Sequence, residues 1–194
     1  MTDKEILESL QKVLDEFHKT FRGDNKFKLT VNKTKTAIQK HVPIKDVSFT
    51  LSGQEIVEQR LSDIVACTGR TKAFLYLAKN SGLDLKAVLT TNVNHLGDGL
   101  NNHTVPAIKL SDGKYHIFEP MCRSVDGQDF KRMLKQPVII GQNVFHVLNH
   151  IKNDSYKVMD IISADNLEQI RTLNDIVVKS RGKVFTPQKI IERD

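Results

Sequence analysis

Two cysteines and seven histidines are the residues of this 194-residue chain that could carry nucleophilic chemistry. A free cysteine is usually a buried core residue. Cys67, however, lies at the predicted start of a helix, where unpaired backbone N–H groups and the helix dipole favour a thiolate. Its own N–H could also stabilise a developing oxyanion. Cys122 follows a predicted strand and lacks these features, so Cys67 is the candidate nucleophile and Cys122 is expected to be structural.

A thiol nucleophile needs a base within hydrogen-bond reach, and His103 is the best placed of the histidines. His103 begins a predicted strand directly after an Asn/Gly-rich loop at 92–101, so a sheet would hold its side chain beside an open cleft. The other histidines outside the hairpin described next are expected to be solvated, to lie in that loop or to pack in a late strand: His18, His41, His95, His146 and His150.

The base in turn needs an acceptor that fixes its tautomer, and Glu119 fits this role. An Asp-Gly turn joins the predicted strands that carry His103 and Glu119 into a hairpin. Glu119 then falls roughly opposite residues 104–106, and facing side chains in a hairpin lie about 5 Å apart at Cβ. The pattern predicts a Cys67–His103–Glu119 triad. Two weaker alternatives lie on the same hairpin: Asp112 and His116.

Hydrophobic spacing predicts the elements that must position these residues. Helices are predicted over 3–21, 53–65, 67–80 and 166–180, with a weaker pattern over 33–41. Strands are predicted over 44–52, 83–91, 103–110, 115–119, 137–148 and 156–162. Asp3 is expected to cap the first helix, and Pro106 suggests an edge strand or a bulge. Helices segregated from antiparallel strands predict an α+β domain.

Two segments resemble the transglutaminase-like superfamily, whose core is papain-like: ACTGRTKAFLYLAKNSGLDLKAVL at 66–89 and NHTVPAIKLSDGKYHIFEP at 102–120. In that family a cysteine begins a helix, a hydrophobic strand follows, a histidine begins the next strand and an acid precedes a proline. The resemblance implies that Cys67 is the nucleophile, His103 the base and Glu119 the third member. The chain departs from the family in having Ala66 where a glycine is usual and Glu119 where the acid is usually Asp.

The resemblance covers about residues 45–125, which would form the catalytic core of a single domain spanning 1–194. Residues 1–44 are expected to be a helical N-terminal extension, and residues 126–194 to add strands and a C-terminal helix. These flanks are not part of the resemblance.

The implied activity is thiol-dependent acyl transfer at an amide of a protein or peptide substrate. Hydrolysis, by a cysteine protease or a deamidase, is the default because it needs no second substrate site. Cross-linking to a lysine amine is one alternative, and an inactive family member that binds a protein partner is another. Gln59, upstream of Cys67, is a candidate second oxyanion donor. No cofactor or metal is expected, since the sequence has no C-x-x-C motif and no EF-hand loop.

Charge, hydropathy and cysteine content bear on nucleic-acid binding, membrane insertion and export. Lys and Arg number 29 against 23 Asp and Glu, a net charge of +6, but the basic residues are spread along the chain, so nucleic-acid binding is not expected. No apolar run approaches the roughly 18 residues of a membrane span. The polar N-terminus shows no signal peptide, and two cysteines make no disulfide framework. A cytoplasmic location is therefore expected, with the oligomeric state open.

Overall fold

A computed structural model of the chain describes residues 1–21, 47–58, 67–92, 102–148 and 152–170. The weak helix pattern at 33–41, Gln59, most of the 92–101 loop and most of the predicted 166–180 helix lie outside these residues. The described helices are α1 (Asp3–Phe21), α2 (Val47–Thr50), α3 (Gly53–Glu58), α4 (Cys67–Leu77, continued by a 3-10 turn Ala78–Asn80), α5 (Gln128–Leu134) and α6 (Ala164–Glu168). The described strands are β1 (Leu85–Asn92), β2 (Asn102–Lys109), β3 (Tyr115–Ile117), β4 (Asn143–Leu148) and β5 (Lys152–Ile162).

Helix α1 is amphipathic, as its spacing predicts, and it buries Leu10, Leu14 and Phe17 completely. Its cap differs from the prediction by one residue. The Thr2 hydroxyl accepts a hydrogen bond from the Glu5 N–H at 3.3 Å, and the Glu5 carboxylate accepts one from the Thr2 N–H at 2.7 Å. This reciprocal pair is a capping box, so Thr2 and not Asp3 caps the helix.

The strand predicted over 44–52 is wrong where the structure describes it, because Val47–Thr50 forms a helical turn. A short alternation of apolar residues does not distinguish a strand from a turn of helix. In the folded chain this segment is held by a residue distant in sequence. The buried Lys72 ammonium donates to the carbonyl oxygens of Phe49 at 2.9 Å and Leu51 at 3.2 Å. It also donates to the Ile170 carbonyl at 2.9 Å, so one cation ties three segments together.

The five strands form one sheet in the order β3-β2-β1-β5-β4, with every neighbouring pair antiparallel. Strand β2 is therefore interior and its register with β1 is unbroken at Pro106, so the prediction that Pro106 marks an edge strand or a bulge is wrong on both alternatives. Pro106 is tolerated because the β3 ladder ends beside it: paired residues stop at Ala107 and Ile117, and the Pro106 carbonyl accepts the Phe118 N–H at 3.2 Å.

Helix α4 packs between the sheet and α1, as aromatic contacts show. The Phe74 ring lies 5.5 Å from the Phe17 ring and 5.2 Å from the Phe118 ring, both edge-on. The described chain is thus a mixture of helices and an antiparallel sheet, which agrees with the predicted α+β class. Among the described residues, no helix is both long and apolar enough to cross a membrane.

Candidate active site at the Cys67 end of helix α4

Helix α4 is docked against the part of β2 that β3 does not cover. Thr104 lies beyond the last β2–β3 pair, and α4 takes up its free backbone groups. The Thr104 carbonyl accepts a hydrogen bond from the Thr71 hydroxyl at 3.0 Å, and the Thr104 N–H donates to the Cys67 sulfur at 3.5 Å. The buried Thr68 and Thr104 hydroxyls share a third bond at 3.0 Å. These bonds place Cys67 against the backbone one residue beyond His103.

The hairpin that follows β2 delivers Glu119. Gly113 adopts φ +76°, the left-handed conformation that the predicted Asp-Gly turn requires. The Glu119 carboxylate is then fixed from its own turn, since its Oε1 accepts the Met121 N–H at 3.0 Å. Its other oxygen, Oε2, lies 3.3 Å from Nε2 of His146.

Three side chains meet at this point. His103, Glu119 and His146 each offer an atom, imidazole nitrogen or carboxylate oxygen, and these atoms all lie within 4.8 Å of one another. The rings of the two histidines are 4.6 Å apart between centroids, and Tyr156 packs beside both. The structure therefore brings His103 and Glu119 together as the hairpin predicts. The hydrogen bonds of the Cys67 sulfur are with Thr104 and Thr68, and not with His103.

His146 was expected merely to pack in a strand, so its place in the site is a finding of the structure. It lies on β4, at the opposite edge of the sheet from β3. With neighbouring strands about 4.8 Å apart, a flat sheet would separate these edges by about 19 Å. The contact is made by a residue outside the strand ladder, because Glu119 lies two residues beyond Ile117, the last residue of β3. A local signal existed: Val144 and His146 alternate inward on β4, each 1% exposed, and a buried histidine calls for a polar partner.

Burial sets the charges of the site. Burial raises the pKa of Cys67, only partly offset by the Thr104 and Thr68 hydrogen bonds, and the Glu119 charge raises it further. Burial lowers the pKa of His103 to about 4 against the opposing pull of Glu119, and it lowers the pKa of His146 too. Burial acts to raise the pKa of Glu119, but the nearby histidines and the Met121 N–H outweigh it and leave the pKa lowered.

At neutral pH the site therefore holds a neutral thiol, two neutral imidazoles and one carboxylate. The expectation that the helix start lowers the pKa of Cys67 is wrong for this resting state. The helix terminus is present, but Cys67 is partly buried with its sulfur against the Thr104 N–H of β2, and the loss of hydration is the largest influence on its pKa.

The remaining predicted residues have other surroundings. Asp112 and His116, the weaker alternatives, pair with each other at 3.0 Å. His18 is not solvated as expected, since its Nε2 lies 3.2 Å from the Cys122 carbonyl oxygen and the residue is partly buried. Cys122 is buried, and that burial, with the nearby charges of Glu119 and Asp129, raises its pKa to about 12, in keeping with a structural thiol. Several candidates lie outside the described residues: His41, Gln59, His95 and His150.

Comparison of the chain with protein-family models, with curated proteins and with solved structures found no match in any of the three.

Proposed function

We propose that the protein is a transglutaminase-like thiol enzyme that transfers the acyl group of an amide through a Cys67 thioester, with water as the default acceptor. The observation that supports this proposal is that Cys67 and Glu119 both lie at the start of strand β2, beside Thr104 and His103 respectively. The Cys67 sulfur contacts Thr104, while the preceding residue, His103, meets the Glu119 carboxylate. These residues come from a helix, a strand and a hairpin in the order that the family resemblance implies, and the papain-like core of that family is part of the proposal.

In the proposed mechanism the proton moves during attack, because thiol and imidazole are both neutral at rest. His103 takes the Cys67 proton as the sulfur attacks the amide carbonyl carbon. The Glu119 carboxylate stabilises the imidazolium that forms, as the acid of a triad does. The Thr104 N–H supports the developing thiolate. His103 must approach the sulfur for this step, a tightening that commonly accompanies substrate binding.

The tetrahedral intermediate then collapses. The carbon–nitrogen bond breaks, the leaving amine takes the proton from His103, and a thioester remains on Cys67. Backbone N–H groups in the first turn of a helix have no intrahelical partner, so the Cys67 N–H is the candidate oxyanion donor. Water activated by His103 hydrolyses the thioester and returns the proton to the sulfur. A lysine amine in place of water would give a cross-link.

A test that needs no knowledge of the substrate is single-turnover acylation by p-nitrophenyl acetate, which releases a coloured phenolate. We expect wild-type protein to acetylate Cys67, located by mass spectrometry of its peptides, and Cys67→Ala to lose the burst. Cys122→Ala is the matched control and should keep it. His103→Gln should slow acylation by about 10²-fold or more, the usual contribution of a general base. Equal Cys67 acylation rates in wild type and His103→Gln would refute the proposal.

The main competing function is an inactive family member that binds a protein partner. The raised pKa of Cys67 favours this alternative, since a thiol of that kind is a poor nucleophile without a working base. The acylation test separates the two, because an inactive member would acetylate Cys67 no faster than the His103→Gln protein does.

A further inference from the structure

The thiol mechanism leaves part of the buried cluster unused. It assigns no role to His146, which is 1% exposed. Both ring nitrogens of His146, and Nε2 of His103, are buried without a hydrogen-bond partner in the described part of the chain. The 3.3 Å approach of His146 to Glu119 has the distance of an ion pair but not the alignment of a hydrogen bond. Buried polar atoms nearly always have partners, so these nitrogens indicate that something else engages them.

The donor set matches one class of ligand. Two imidazoles and a carboxylate are the protein ligands of Zn²⁺ and related divalent transition metals, which bind them at about 2.0–2.2 Å. Tetrahedral ligands at that distance lie roughly 3.4 Å apart. The three donor atoms already lie within 4.8 Å of one another, so small side-chain movements would complete the geometry. Three protein ligands would leave a fourth position for water.

We propose that His103, Glu119 and His146 form a binding site for a divalent transition-metal ion, with Zn²⁺ as the best fit, and that the bound ion holds the thiol site inactive. A neutral imidazole has one lone pair. When His103 gives it to a metal, none remains to accept the Cys67 proton. The metal site stands on its own ligands, whereas the inhibition rests on the proposed thiol function.

The first experiment is calorimetric titration of Zn²⁺ into full-length protein stripped of metal with a chelator. We expect one saturable equivalent in wild type and loss of that step in His146→Gln and Glu119→Gln. His116→Gln, which alters a buried histidine outside the cluster, is the matched control and should bind normally, as should Cys67→Ala. Absence of saturable binding in wild type would overturn the site, and so would binding that depends on Cys67 but not on His146.

Because substitution of a buried histidine can change the fold, a second measurement uses wild-type protein alone. Zn²⁺ should shift the ring-nitrogen NMR signals of two histidines, assigned as His103 and His146, and leave the signal of His116 in place. Shifts confined to other histidines would overturn the proposal.

The inhibitory part is tested by p-nitrophenyl acetate acylation with and without Zn²⁺. The acylation rate with Zn²⁺ divided by the rate without it should be far below one in wild type and in His116→Gln. The same ratio should be near one in His146→Gln, whatever the basal rate of that variant. Stoichiometric binding with an unchanged ratio would refute inhibition but keep the metal site. Absence of Cys67 acylation even without metal would refute the thiol function, again without affecting the metal site.

Discussion

Glu119 affects the reactivity of Cys67 in two opposite ways, so substitution of this one residue tests the proposed mechanism. In the resting protein its negative charge disfavours a second negative charge on the sulfur and raises the pKa of Cys67. During the proposed reaction the same charge stabilises the His103 imidazolium and assists removal of the thiol proton. A purely structural carboxylate would have the first effect without the second.

This duality predicts that Glu119→Gln changes two rates in opposite directions. Alkylation of Cys67 by iodoacetamide, which needs only thiolate, should become faster at pH 8 because the pKa of Cys67 falls towards its ordinary value. Acylation by p-nitrophenyl acetate should become slower. Both are measured by mass spectrometry of the Cys67 peptide, with Asp112→Asn as the control for loss of a negative charge on the same hairpin.

The wild-type pH profile belongs to the same test. Since the pKa of Cys67 is raised, its alkylation rate should still be increasing above pH 9. A plateau below pH 8 would contradict the resting charges described here and would instead indicate a preformed thiolate–imidazolium pair.

Among the elements, the docking of α4 on the uncovered end of β2 is the contact that positions the thiol. Its polar bonds centre on Thr104, and two of them are buried: the bond that the Thr68 and Thr104 hydroxyls share and the bond from the Thr71 hydroxyl to the Thr104 carbonyl. A buried hydroxyl that loses its partner costs about 1–3 kcal/mol, so this contact is specific as well as stabilising.

We therefore expect Thr68→Val to lower the free energy of unfolding by about 1–3 kcal/mol, because it leaves the Thr104 hydroxyl buried and unpaired. The matched control is Thr91→Val. The Thr91 hydroxyl is also buried but has no hydrogen-bond partner among the described residues, so its removal should be neutral or stabilising. Urea unfolding measures both, and equal effects of the two substitutions would show that the α4–β2 bond has no special weight.

The helices and strands differ in how well the sequence predicts them. Long periodic segments and turns with defined chemistry were predictable: α1, α4, and the β2–β3 hairpin whose Asp-Gly turn fixes the approach of Glu119 to His103. Short helices were not. Helix α2 was predicted as a strand, and α5 was not predicted, since seven residues give little periodicity and its burial of Phe130 and Met133 depends on the rest of the fold.

For the molecule as a whole, the fold brings His103, Glu119 and His146, which come from separate strands and a turn, into one cluster. The alternation along β4 could indicate that His146 is buried, but not which residue it contacts. Its contact with Glu119 joins β4 to the turn that follows β3, at the two ends of the strand order, and no spacing in the sequence encodes that contact. The same cluster links the stability of the fold to pH.

Stability should fall as the pH falls from about 6.5 towards 4. The folded protein lowers the pKa of His103 from 6.5 to about 4, so the unfolded chain binds this proton first and is favoured in acid. The lowered pKa values of His146 and Glu119 act in the same direction. For His103 alone the full loss is of the order of 3 kcal/mol. Urea unfolding at pH 7.5 and pH 5 measures the part of this loss that is reached by pH 5, about 2 kcal/mol.

In this comparison His103→Gln should show a smaller loss of stability between the two pH values than wild type does. Unchanged wild-type stability at pH 5 would contradict the burial of neutral imidazoles in the folded state.

The short strand β3 has a consequence for how other chains could associate with this sheet. Its outer side is already occupied, because the Tyr115 carbonyl accepts the Val138 N–H at 2.7 Å and His116 forms a bridge with Pro137. An extended peptide that added itself as a sixth strand here would have to displace residues 137–138 first. Proteins commonly protect sheet edges from such pairing by covering them. Residues 137–138 therefore protect this edge of the sheet from pairing with strands of other chains. Glu119 follows two residues after the end of the same edge strand.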